Sequence, residues 1–331
     1  MHIPDNYLSP ATCAVLGAAM VPVWTLSARR VRSGLPRAKM PLLGIGAAFS
    51  FLVMMFNVPL PGGTTGHAVG AVLVAALLGP WAACIAVSVA LLIQALLFGD
   101  GGVLAFGANC FNMAFVMPFL GSFAYRFLKD RLRGGRGELV ALGVAAYLAL
   151  DTAAFCAAVE FGLQPALARD AAGLPLYCPY PLAVSVPAMM IPHLLVAGFV
   201  EVLFTVGVFA FLKRVSPGSL HEGAKTRIPA VYGLVALLAG LSPIGLLASG
   251  TAWGEWGAGE IKGIVTAGRP LGFVPAGMRT GFSLEALFPD YAMPGLSEWL
   301  GYVLSAVAGV ALLVIAFKLA GLLWKSEPGK V

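Results

Sequence analysis

Charge is what this sequence has least of. Only 11% of its 331 residues are Asp, Glu, Lys or Arg, against about a quarter in an ordinary globular chain. Hydrophobic residues reach 59% and mean hydropathy is +0.89. A water-soluble core cannot absorb that much apolar surface, and a disordered or collagen-like chain is excluded by the same composition. Cysteine is sparse too. The five (Cys13, Cys84, Cys110, Cys156, Cys178) are scattered and contain no CxxC pair, so they read as small core residues rather than a disulfide framework or a thiolate site. There is no G-x-x-x-x-G-K-[ST] phosphate loop, since Gly329-Lys330 is followed by Val331; ATP hydrolysis is not expected of this chain. HExxH is missing as well, His221-Glu222 being followed by Gly-Ala-Lys, which argues against an intramembrane metalloprotease. The net charge of +6 comes from short basic runs between apolar segments, the pattern of membrane topology and not of nucleic-acid binding.

What is present in abundance is hydrophobic length. A hydrocarbon core of about 30 Å needs about 20 apolar residues per helix, and nine segments qualify, near 9–28, 41–58, 66–79, 80–98, 107–128, 138–161, 184–212, 229–249 and 297–324. The expected class is therefore an all-α polytopic membrane protein lying in the bilayer of the cell membrane. Gly79-Pro80 interrupts an overlong run, so the third and fourth segments are expected to form a tight helical hairpin. With the N-terminus outside, 17 of the 21 basic residues fall in inner loops or at the inner end of the last helix, leaving Arg169, Lys262, Arg269 and Arg279 outside. The positive-inside rule then puts the N-terminus in the extracytoplasmic space and the C-terminus in the cytoplasm. The polar stretch VSPGSLHEGAKTRIP reads as a cytoplasmic linker at 214–228, dividing a seven-helix unit, 1–213, from a two-helix part, 229–331. That second part carries a loop of about 47 residues at 250–296, long enough to suggest function. Its acidic residues Glu255, Glu260, Glu285 and Asp290, with Glu298 just beyond, come without His or Cys, making the loop a poor primary site for a borderline metal but a candidate to touch the bundle and gate loading.

The N-terminus is the most informative stretch. It has no basic n-region and no cleavage site precedes the first span. His2 is too large to favour removal of Met1, so the Met1 amine is expected to persist. That amine, the amide nitrogen of His2 and His2 Nδ1 can close a five-membered and then a six-membered chelate ring on one metal. A deprotonated amide suits Ni(II) or Cu(II) in a square-planar nitrogen set. A fourth nitrogen is needed. His67, in PLPGGTTGHAVGA on the same side of the membrane, is the natural candidate, although a lone histidine near an interface is often only a hydrogen-bonded structural residue. The turn Pro4-Asp5-Asn6 can fold the terminus back toward the bundle.

Three strings carry a family resemblance: MHIPDNYLSP at the start, PGGTTGHAVGAVL around His67, and QALLFGDGGVLAFGANCFNM at 94–113. Together they resemble the substrate-binding membrane component of nickel/cobalt energy-coupling-factor transporters, the NikM/CbiM type, over residues 1 to about 213. The remainder, with PDYAMPG at 289–295, is similar to a fused NikN-type part. The family reads MHIPDG, where this chain has Asn6; Asn also tolerates left-handed turn geometry. The resemblance implies that the N-terminus inserts into the bundle and that Met1, His2 and His67 hold Ni(II) or Co(II) as transported substrate, with no cofactor. It implies partners as well: a membrane coupling subunit and two cytoplasmic ATPases. Loop 99–109 would cover the site, with Asp5, Asp100, Asn109 and Asn112 as candidates to orient the ligands or gate the site. For Asn109 and Asn112, helix capping or interhelical bonding is an equal alternative.

Ionisable groups inside spans raise another possibility. Asp151 and His193 lie at similar depth and could pair, Glu201 lies deeper, and Gln94 sits near the outer end of the fourth segment. They admit a proton-coupled secondary transporter or purely structural interhelical bonds. Gly66-x-x-x-Gly70 offers a smooth helix face next to His67.

Overall fold

Ser9 starts the first long helix by a local rule. Its hydroxyl accepts from Thr12 N, and Pro10 occupies the first turn, where its missing N–H costs nothing. α1 (Pro10–Gly34) exposes Val15, Val21 and Leu26, side chains suited to lipid. In the computed structural model, residues 1–36, 39–132, 134–219, 227–266 and 269–323 are described. Arg37, Arg133, Lys325, Lys330 and the linker residues 220–226, with His221 and Lys225, lie outside them.

After α1 come α2 (Met40–Met54), an antiparallel hairpin of β1 (Val58–Leu60) and β2 (Thr64–Gly66), α3 (Ala71–Leu78) and α4 (Pro80–Ile93), which continues as a π-turn over Gln94–Phe98. The short α5 (Phe106–Asn109) passes through a second π-turn, Cys110–Val116, into α6 (Met117–Lys129). α7 (Gly135–Leu167) and α8 (Leu182–Pro192) follow, and a third π-turn at His193–Ala197 leads into α9 (Gly198–Val215). The C-terminal part consists of α10 (Ile228–Leu241), two short helices α11 (Ala258–Ile261) and α12 (Ala276–Thr280), and α13 (Glu298–Leu323). Between α11 and α12 lies a minimal pair of strands, β3 (Val265–Thr266) and β4 (Arg269–Pro270).

Among the described residues, seven helical stretches are long and apolar enough to cross a membrane, and α2 is a shorter apolar helix. The chain is an all-α polytopic membrane protein. The expected third span differs. Only its second half is helical; residues 64–70 form a strand and a loop, so Gly66 and Gly70 do not share a helix face. Gly70 instead takes φ 72 and a Cβ there would meet the Phe49 ring at 2.5 Å, so the chain turns sharply only because the side chain is absent. The Gly79-Pro80 break is present as expected, α3 ending at Leu78 and α4 beginning at Pro80.

Nearly every residue of α2 is buried, because it is covered by α4 on one side and α13 on another. A Cβ on Gly309 would fall 2.3 Å from the Phe51 ring, so a small residue there lets α13 close on α2. Tyr302 adds a hydroxyl bond to Met55 O at 2.8 Å. The C-terminal helices thus pack onto the N-terminal ones, and their long connection reaches the chain's first residues.

Candidate metal centre

The first three residues are drawn inside. Met1, His2 and Ile3 are buried at 3%, 1% and 0% exposure, although they form no regular structure. Buried backbone without a helix or strand must find its partners elsewhere, and for Ile3 they are identifiable. Asn109 acts as a two-point clasp on Ile3: Ile3 N donates to its Oδ1 at 2.8 Å, and its Nδ2 donates to Ile3 O at 3.0 Å. Gly102 N adds a bond to Ile3 O at 2.8 Å. A Cβ on Gly102 would lie 2.4 Å from Asp5 N, so the close approach of the two strands of chain requires glycine. Asp5 accepts from Val103 N and Leu104 N at 3.0 and 2.7 Å, pinning the loop to the terminus.

The turn at Asn6 takes φ 66, the left-handed geometry expected for it. Its side-chain amide also exchanges two bonds with the backbone of Phe282, at 2.7 and 3.0 Å. A glycine at this position has no such side chain. Ser9 N finds Gln164 Oε1 at 2.9 Å, completing the anchorage.

This docking brings His2 against His67. The two rings lie 4.8 Å apart between centroids, and His67 Nε2 is 3.1 Å from His2 Nδ1. His67 Nδ1 faces the Ala68 carbonyl at 3.0 Å; a carbonyl only accepts, so the hydrogen-bond network assigns the proton to Nδ1 and leaves Nε2 as the lone-pair nitrogen. With that assignment His2 Nδ1 donates to His67 Nε2, and Asp100 Oδ1 lies 2.8 Å from the same His2 nitrogen. Burial works to raise the Asp100 carboxyl, but the neighbouring His2, then His67 and the Tyr291 hydroxyl, hold it well below the usual carboxylate range.

The loop that carries His67 is held by Glu201. This buried carboxylate on α9 accepts from Val69 N at 2.7 Å and from Gly70 N at 3.0 Å, and Thr205 donates to it at 3.1 Å. Ser50 Oγ donates to Val69 O at 2.7 Å. The loop that replaces the first half of the expected third helix is therefore anchored at Val69 and Gly70, beside His67.

Two contacts come from the C-terminal part. The Met1 ammonium donates to Glu255 Oε1 at 3.0 Å, and the Tyr291 hydroxyl donates to Asp100 Oδ2 at 2.6 Å. Sequence reasoning did not single out Glu255 or Tyr291 as site residues. The available signal was limited to the acidic content of the loop and the PDYAMPG string, neither of which specifies a distance.

The structure thus brings Met1, His2, His67, Asp5, Asp100 and Asn109 together, and leaves Asn112 out. Asn112 Nδ2 donates to Glu160 Oε2 at 2.9 Å, between helices. Asp151 and His193, which could have paired, do not: His193 Nδ1 donates to Met189 O at 2.7 Å, and among the described residues neither His193 Nε2 nor either Asp151 oxygen has a hydrogen-bond partner. The imidazole thus bonds back onto its own helix, at the start of the π-turn 193–197. Glu201, one of the expected relay groups, is occupied by backbone amides.

Comparison with known proteins agrees with this architecture. Residues 2–219 match the family described as the cobalt uptake substrate-specific transmembrane region, CbiM, and residues 227–326 match the PDGLE domain. The chain is 51% identical to a probable fused nickel transport protein of Lactiplantibacillus plantarum, over 96% of this chain and 97% of that one. It is 49% identical to the fused nickel transport protein of Rhodobacter capsulatus, covering 97% of each. A cobalt transport protein of Roseiflexus is 37% identical over 40% of this chain and 53% of its own. The crystal structure of a truncated transition metal transporter, 52% identical, superimposes with a TM-score of 0.61 over 64% of this chain and 98% of its own. A membrane bundle of this kind, with an N-terminal segment docked inside it and these relatives, leaves one assignment: the chain belongs to the CbiM family of nickel and cobalt transport proteins, with a PDGLE domain following the CbiM region.

Proposed function

We propose that this protein is the metal-capture subunit of an ATP-driven importer, and that it binds Ni(II) through Met1, His2 and His67. The amine of Met1, the amide nitrogen and Nδ1 of His2, and Nε2 of His67 form the four-nitrogen set. The observation that carries the reading is the 3.1 Å approach of His67 Nε2 to His2 Nδ1 in a site where the Met1 amine is buried. Two nitrogens bound about 2 Å from one metal at right angles lie somewhat under 3 Å apart, so a small adjustment makes this pair neighbouring ligands. The proton on His2 Nδ1 faces the space a metal would share with His67. Loading exchanges protons for metal at the amine, the amide and the imidazole, and requires the amine to leave Glu255.

The nitrogen donors and the fused nickel relatives favour nickel over cobalt as the substrate. The N-terminus is assigned to the extracytoplasmic side, as the basic residues require, so capture occurs outside and release inward. Energy comes from partners, a membrane coupling subunit and two ATPases, since this sequence carries no phosphate loop. A self-sufficient proton-coupled transporter is disfavoured, because Asp151 and His193 do not pair and Glu201 is bonded to the backbone.

The test is an N-terminal extension. Adding a single residue before Met1 converts the amine to an amide and should abolish nickel binding by the purified chain, while a C-terminal tag should leave it unchanged. Equal nickel stoichiometry in both proteins would remove the chelate from consideration.

A further inference from the structure

Tyr291 belongs to the C-terminal part, yet it reaches the ligand-bearing end of the bundle at considerable local effort. Asp290 and Tyr291 take φ of 54 and 61, the left-handed region that non-glycine residues rarely enter and that, in consecutive residues, persists only where surrounding contacts enforce it. Those contacts are present. The Tyr291 ring stacks on Phe98 at 4.7 Å and 23°, with Phe51 and Tyr302 edge-on. Its backbone is tied by Ser305 Oγ, which donates to Tyr291 O at 2.8 Å, while Phe288 N donates to Leu97 O at 2.7 Å. What all this holds in place is one hydroxyl. It donates to Asp100 Oδ2 at 2.6 Å and accepts from Gln94 Nε2 at 2.9 Å, and Gln94 Nε2 also donates to Asp100 Oδ2 at 3.1 Å.

Asp100 Oδ2 therefore carries two donors, and Oδ1 is left facing His2 Nδ1 at 2.8 Å. A carboxylate oxygen that close to a ligating nitrogen is a neighbour of whatever metal the nitrogen holds. Free to move, it would close the remaining gap and add oxygen to the coordination sphere. Held at Oδ2, with part of its charge taken up by two hydrogen bonds, it stays outside. The distinction matters because a planar set of four nitrogens suits Ni(II), whereas added oxygen ligands relax that selectivity.

We propose that Tyr291 is a positioning and specificity-determining residue: with Gln94 it pins the Asp100 carboxylate, keeping the bound metal four-coordinate and favouring Ni(II) over Co(II). The inference rests on the four-nitrogen reading above. The C-terminal part is then a component of metal selection as well as a packing partner of α2.

The experiment uses the full chain with its native N-terminus and compares wild type with Tyr291→Phe, which keeps the ring stacking and deletes only the hydroxyl. Nickel-loaded wild type should give the absorption spectrum and diamagnetism of a planar site. Tyr291→Phe should gain a high-spin component, and its nickel-to-cobalt affinity ratio should fall by about tenfold, or ~1.4 kcal/mol. The double variant Tyr291→Phe/Asp100→Asn should return to the planar spectrum, because an amide oxygen is a weaker donor; a merely structural role for Tyr291 would not be rescued this way. A planar wild type with an unchanged spectrum and ratio in Tyr291→Phe overturns the inference alone. A high-spin wild type overturns the four-nitrogen reading and this inference with it.

Discussion

Replacing Asn109 with alanine separates the docking of the N-terminus from the chemistry of its ligands. Asn109 touches neither His2 Nδ1 nor His67; its two bonds go to the backbone of Ile3. Ile3 O keeps Gly102 N as a partner at 2.8 Å, but Ile3 N is left with nothing in a residue of 0% exposure. Losing a neutral bond costs about 1 kcal/mol, and stranding a buried donor roughly 1–3 kcal/mol more. The docked state is thus weakened by roughly 2–4 kcal/mol, an upper limit of about 30- to 700-fold on apparent nickel affinity, reached once the undocked terminus predominates. Asn109→Asp keeps an acceptor for Ile3 N but sets a buried carboxylate oxygen against Ile3 O, so it should weaken binding as well. Asn112→Ala, whose bond runs to Glu160, should leave affinity unchanged. Nickel calorimetry on detergent-solubilised full chain, with circular dichroism to verify folding, reads all three. A folded Asn109→Ala protein with wild-type affinity, or an Asn112→Ala protein that loses as much, would refute the reasoning.

Three further outcomes are expected. His67→Ala should remove most nickel binding, whereas His193→Ala, which breaks only a bond to its own helix, should leave it largely intact by equilibrium dialysis. Glu201→Gln puts an amide NH2 against the backbone donors of Val69 and Gly70, so it should displace His67 and weaken nickel binding by about tenfold or more, with a ring-proton shift of His67 in NMR as the structural readout. Because the imidazole, amine and amide must be deprotonated to bind metal, nickel affinity should fall as pH is lowered, and titrations in buffers of different ionisation enthalpy should show net proton release; a pH-independent affinity would contradict a nitrogen chelate.

Much of this protein is legible without coordinates because hydrophobic length and basic loops are local quantities. The spans from α4 onward, the break at Gly79-Pro80, and the left-handed turn at Asn6 follow from the residues themselves. The third span did not, and the reason is physical: residues 66–70 are apolar enough to pass for helix, but Glu201, 131 positions beyond Gly70, offers their amides a carboxylate that a helix would leave unused. Sequence spacing puts Asp151 and His193 at similar depth but gives no direction for either side chain, and His193 bonds to Met189 of its own helix instead. The proposed chelate could be framed from the sequence because its pattern, an amine, an amide and an imidazole in consecutive positions, is itself local. Only tertiary structure could place His67 Nε2 beside His2 Nδ1, give the Met1 amine Glu255 as a partner, and run the connection from Tyr291 through Asp100 to His2. Those contacts join residues up to 254 positions apart, and no periodicity or propensity encodes a distance between two side chains that meet only once the bundle has packed.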